Sequence, residues 1–69
     1  MTTERVWRVR KDHMSIDVQI DDREAGVEIR YFYNGEPVLS RRWPTRELAL
    51  TDAAARLSDL QRAGWNTHW

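Results

Sequence analysis

The chain has no cysteine, only two histidines (His13 and His68), two prolines and three isolated glycines, and each scarcity removes a class of function. Without cysteine there is neither a disulfide framework nor thiolate metal ligation. Two histidines so far apart give no zinc spacing, and a Ser–His–Asp site needs a buried, oriented imidazole. His13 falls on the polar phase of an alternating segment with Ser15 and Asp17, and His68 lies near the end of the chain, so both read as surface residues. Gly26, Gly35 and Gly64 never cluster, which excludes a glycine-rich phosphate loop. No apolar run approaches the roughly 20 residues that span a bilayer. Met1 to Lys11 lacks the apolar stretch of a secretory signal. The expectation is a cytoplasmic, non-enzymatic chain without metal, cofactor or membrane contact.

A net charge is also lacking, with 11 basic and 11 acidic residues, and ten of the basic ones are arginine. The charges come in blocks: residues 1–11 carry +3, 12–28 carry −5, 29–46 carry +3 and 47–69 carry −1. Alternation on that length scale suits neighbouring strands that pair opposite charges across a sheet.

What the 69 residues do contain is a clear pattern for one small α+β domain spanning 1–69, with 66–69 as a short tail. Met14, Ile16, Val18 and Ile20 alternate with Ser15, Asp17, Gln19 and Asp21, which predicts a half-buried strand. Val6–Arg10 predicts a shorter strand before it, with Trp7 and Val9 inward and Val6, Arg8 and Arg10 outward. Val27–Phe32 predicts a third, and Asn34-Gly35 a tight turn into a fourth, Pro37–Trp43. A three-residue turn, Tyr33-Asn34-Gly35, sets Ile29 opposite Leu39 and brings Trp43 to the inner face, whereas a two-residue turn sends Leu39 and Trp43 outward. Burial therefore favours the three-residue turn.

Pro44 stops the fourth strand and Thr45 can cap a helix. Leu50, Ala53, Ala54, Leu57 and Leu60 form an apolar stripe along 46–63. Gly64 stands where a left-handed C-terminal residue belongs, with Trp65 placed to fold back onto Leu60. The fold class expected is α+β: an antiparallel meander of three to four strands, then one C-terminal helix packed on one sheet face.

Three clusters invite chemistry. Asp21, Asp22 and Glu24 lack the glycine and distal glutamate of a calcium loop and read as a solvated turn. Arg41-Arg42, with Arg46 close behind, could meet phosphates beside a stacking Trp43, or could pair with neighbouring acids. On the face away from the helix, Phe32 with Val6, Val38 and Trp69 forms a candidate apolar patch rimmed by Arg8, Arg30 and Glu36, with Val38 nearly opposite Arg30.

The stretch Asn34-Gly35-Glu36-Pro37-Val38-Leu39-Ser40-Arg41-Arg42-Trp43-Pro44-Thr45-Arg46, with Ala49 and Gly64-Trp65, resembles a family of short uncharacterised bacterial proteins, a likeness that implies no activity. Strands followed by a helix opening on Trp43-Pro44-Thr45-Arg46 are also similar to the arm-site-binding domain of tyrosine recombinases. That second resemblance implies a sheet face that reads DNA. Here that face would carry Arg8, Arg10, Asp17, Asp21, Glu28, Arg30 and Arg42. The acids fall on its central strands, where they repel phosphates. The first expectation is therefore a binding or regulatory domain acting through protein contacts or as a homodimer, using Phe32, Arg30, Val38, Arg8 and Trp69. The alternative is a nucleic-acid binder using Arg8, Arg10, Arg30, Arg41 and Arg42.

Overall fold

The computed structural model describes residues 3–67; His68 and Trp69, and with them the tail tryptophan of the expected patch, lie outside the described residues. Strands β1 (Thr3–Lys11), β2 (Met14–Arg23), β3 (Gly26–Tyr33) and β4 (Glu36–Trp43) form the expected antiparallel meander, and α1 (Arg46–Arg62) follows. The sheet has one strand more than expected. Asn66–Thr67, read from sequence as tail, is β5 and pairs with Val9 and Arg10, giving the order β4-β3-β2-β1-β5. Two residues offer too little pattern to read as a strand; what places them is the helix ending just before.

That ending is built as the sequence predicts. Gly64 has φ +99, its N–H donates to the Gln61 carbonyl (3.1 Å), and the Trp65 N–H donates to Leu60 (3.0 Å), the paired bonds of a Schellman motif. Lys11 Nζ donates to the Ala63 carbonyl at 2.8 Å, tying this end to β1. At the other end the Thr45 hydroxyl accepts from the Leu48 N–H at 3.2 Å. Arg46 there reaches Glu4 (3.0 Å) on β1 and Asp22 (3.6 Å) on β2. The chain thus straps its helix across the sheet at both ends.

Between the straps, Ala49 and Ala53 are the helix residues with no exposure, while Leu50, Leu57 and Leu60 pack at the margin of the core. Ala54, placed in the stripe from sequence, is exposed, and Ala49 takes its role. Small alanine side chains at the contact let the helix approach the sheet, with Leu60 continuing their line and Leu50 and Leu57, seven residues apart, sharing one flank. The core itself is Trp7, Val9, Val18, Ile20, Val27, Ile29 and Tyr31 under those alanines.

Two β-bulges correct the expected registers. In β1, Arg5 pairs with Gln19 and Trp7 with Val18, so Val6 is an extra residue. Val6 packs against the core rather than on the outer face. In β4, Pro37 pairs with Phe32 and Leu39 with Tyr31, so Val38 is extra. The turn before it has two residues, not three: Tyr33 pairs with Glu36, and Asn34 (φ +51) and Gly35 (φ +85) both adopt the positive φ of a type I′ turn. The extra residue that brings Leu39 and Trp43 inward sits in the strand instead of the turn. Leu39 consequently faces Tyr31 rather than Ile29, and Arg30 faces Ser40 rather than Val38.

Candidate functional site: the two sides of the sheet

Strand alternation divides the arginines. On the face away from the helix stand Arg5, Arg8 and Arg10 of β1, Arg23 of β2, Arg30 of β3 and Arg42 of β4, with Asp17, Asp21 and Glu28 between them. Arg41 pairs with Ile29 and so belongs to the helix side. Its guanidinium lies 4.9 Å above the Trp43 ring, so Arg41 cannot act with Arg42 on one surface. The acidic turn is likewise split. Asp21 is buried in β2 on the outer face, while Asp22 turns to Arg46 on the other side. His13 sits exposed in the β1–β2 turn rather than on a strand. Among the described residues no three carboxylates or histidines converge as a metal site requires.

The outer carboxylates are occupied. Asp17 meets Arg5 at 2.9 Å. Asp21 meets Arg30 at 3.1 Å and Arg23 at 3.6 Å, and it accepts from the Thr3 hydroxyl. Glu28 accepts from the Ser40 hydroxyl at 2.8 Å and from Arg23, with Arg30 3.6 Å away. The hydrogen bond from Ser40, then that from Arg23, lower the Glu28 carboxyl from 4.5 to about 2. A carboxyl held below its unfolded value stabilises the fold at pH above about 4.5, and that contribution drains away as pH falls toward 2. Acid titration of thermal stability should show this loss in wild type, and Glu28→Gln should flatten it in that window; equal acid slopes would deny the network its role. Phe32 is half-buried on this face between Asp17 and Pro37. Of the apolar residues expected around it, Val38 does line a common hollow with Phe32, whereas Val6 is partly buried against the core.

Of the four exposed large apolar residues among those described, three gather at the β3–β4 hairpin, and Leu48 stands apart on the helix. The helix leaves the β3–β4 hairpin uncovered, so Tyr33, Val38 (63% exposed) and Leu39 face solvent. Together with Trp7, Ile16, Tyr31, Phe32, Leu60, Arg56 and Asp59 they enclose a hollow of about 410 Å³. Its floor is polar only where it is already satisfied. Trp7 Nε1 donates to the Ala53 carbonyl at 2.9 Å, and the Tyr31 hydroxyl donates to Asp52 at 3.1 Å. Burial, and then the Asp52 charge, push the Tyr31 hydroxyl up to about 12, so it stays a donor through the neutral range. Arg56 completes this corner, bonded through Nε to Asp52 (3.1 Å) and lying over the Tyr31 ring at 5.1 Å.

Sequence reasoning missed this hollow because it depends on which turns of the helix run past the sheet. Strand alternation does place Tyr33 and Leu39 on the helix side, and that was the available signal. No helix among the described residues is long and apolar enough to cross a membrane. No family model, curated protein or solved structure matches the chain.

Proposed function

We propose that the chain is a non-enzymatic binding domain that acts through protein contacts, and that it docks its partner in the hollow between the β3–β4 hairpin and the second half of the helix. The observation that carries this is the segregation of surface types. Exposed Tyr33, Val38 and Leu39 ring an apolar hollow on one side, while arginine–carboxylate pairs cover the other. Partners bury aromatic and aliphatic anchors in such concavities, and a few of those contacts carry most of the affinity. Affinity capture with the full chain tests it. Val38→Glu, at an exposed position, should weaken capture of a chain-specific partner by about 2 kcal/mol or more, roughly thirtyfold in Kd. Arg8→Glu on the outer face should leave it intact; the reverse pattern would move the site across the sheet.

One observation favours a second reading, nucleic-acid contact by the outer face. Its three carboxylates are all engaged by Arg5, Arg23 and Arg30, and among the described residues Arg8, Arg10 and Arg42 have no ion pair. Arg41 drops out of that set because it faces the helix side. Duplex affinity no tighter than the non-specific range of about 10⁻⁴–10⁻⁶ M at physiological salt keeps protein docking first. A submicromolar, steeply salt-dependent affinity lost on charge reversal of Arg8 and Arg10 would replace it.

A further inference from the structure

We infer that the partner segment received by the hollow carries a carboxylate beside a bulky apolar side chain, with Arg56 as its counter-charge; this rests on the hollow being the docking surface. The volume of about 410 Å³ lies within the roughly 300–1,000 Å³ of clefts that hold compact ligands. Its walls, including Trp7, Ile16, Leu39 and Leu60, ask for an apolar occupant. The sign of the charge beside that occupant follows from which rim groups are already used.

Two charged residues border the hollow, Arg56 and Asp59. Asp59 is bonded to Arg62 at 2.7 Å, and both are more than two-thirds exposed (73% and 77%), so its charge is answered in solvent. Asp52, just behind, accepts from both Tyr31 and Arg56. On the helix side of the hollow a partner amine would therefore find both carboxylates, Asp52 and Asp59, already paired. A partner carboxylate meets the opposite situation. Guanidinium offers five N–H donors in a planar fork. Arg56 spends Nε on Asp52, and its terminal nitrogens make no hydrogen bond among the described residues. The Nε bond to Asp52 and the position of Cζ 5.1 Å over the Tyr31 ring anchor the side chain at two points, so a carboxylate meets a partly ordered fork instead of a free side chain. Arg41, whose charge also reaches the Tyr31 hydroxyl, adds positive potential on the same side. Glu36, exposed and paired in register with Tyr33 at the hairpin end, repels a second carboxylate there. The complement is one acidic residue with an apolar neighbour, not an acidic run.

The test is a titration of the full chain, followed by amide NMR, with a blocked leucine–aspartate–leucine peptide and its leucine–asparagine–leucine counterpart. Both peptides should shift the resonances of Leu39 and Leu60. The aspartate peptide should bind roughly tenfold tighter in wild type, and Arg56→Gln should erase the difference. The wild-type comparison stands even if that variant folds poorly. Equal affinities in wild type would overturn the carboxylate inference while leaving the hollow as the docking surface. No shift at the hollow with either peptide would overturn the docking surface itself, and the inference with it.

Discussion

Trp7→Ala is expected to leave much of the protein unfolded in buffer at room temperature. Trp7 is 3% exposed and touches every layer of the fold. It follows the β1 bulge, its ring meets Tyr31 of β3 edge-on at 6.4 Å and 63°, and its indole N–H holds the Ala53 carbonyl in mid-helix. Removing a buried tryptophan costs about 3–5 kcal/mol. Stabilities of about 0.05–0.15 kcal/mol per residue give a 69-residue chain about 3.5–10 kcal/mol in all, and a domain this small sits toward the lower end, where that loss takes most of it. Trp7→Phe separates two contributions: it keeps an aromatic ring for Tyr31 but leaves the Ala53 carbonyl without the indole donor. Its urea midpoint should fall between those of wild type and Trp7→Ala. A Trp7→Ala midpoint close to wild type would mean that the helix is not fastened to the sheet through this residue.

Much of the fold was legible because its signals are local. The alternation from Met14 to Asp21, the Thr45 cap and the Gly64-Trp65 ending each lie within a few residues of what they determine, and each stands in the structure. The candidate site was less legible, and two residues show why. Val6 and Val38 were assigned to the outer face by counting in twos, yet each is the extra residue of a bulge. A bulge inverts the phase on one side of itself, and nothing in the residue's own identity announces it. The inward placement of Leu39 and Trp43 was right because burial demanded a phase inversion; the turn was the wrong place to put it. The bulges take Val6 away from Phe32, leave Val38 lining one hollow with it, and add Tyr33 and Leu39 from the helix side of the hairpin. The ion pairs of Asp21 and Glu28 were legible only as charge alternation, since which arginine serves which acid depends on side chains crossing between neighbouring strands.

Gly26→Ala should be the most damaging single-methyl change in the molecule, and its cause lies at the point where the chain leaves the sheet for the helix. Gly26 opens β3 opposite Arg23, and its neighbour Val27 pairs with Trp43, the last residue of β4. The chain there turns through Pro44 into the helix cap and passes directly over Gly26. A Cβ built on Gly26 would lie 2.3 Å from the Trp43 carbonyl oxygen and 3.2 Å from Pro44 Cα, both of them backbone. No side chain can swing aside to relieve that contact, and φ at Gly26 is +126, where L-residues are strained as well. Strain of this kind costs about 1–3 kcal/mol before any clash is counted. Relief requires Trp43-Pro44 to shift, and that would loosen Trp43 from the core edge and Thr45 from its capping position together. Gly35→Ala is the internal control: it also has positive φ (+85), but its added methyl meets nothing within 4 Å. The expected order of urea midpoints is therefore wild type, then Gly35→Ala, then Gly26→Ala well below both, with the last also showing altered Trp43 fluorescence in the folded baseline. Equal losses at the two glycines would mean that backbone conformation alone sets the cost, and that the crossing of β4 over Gly26 is looser than its geometry implies.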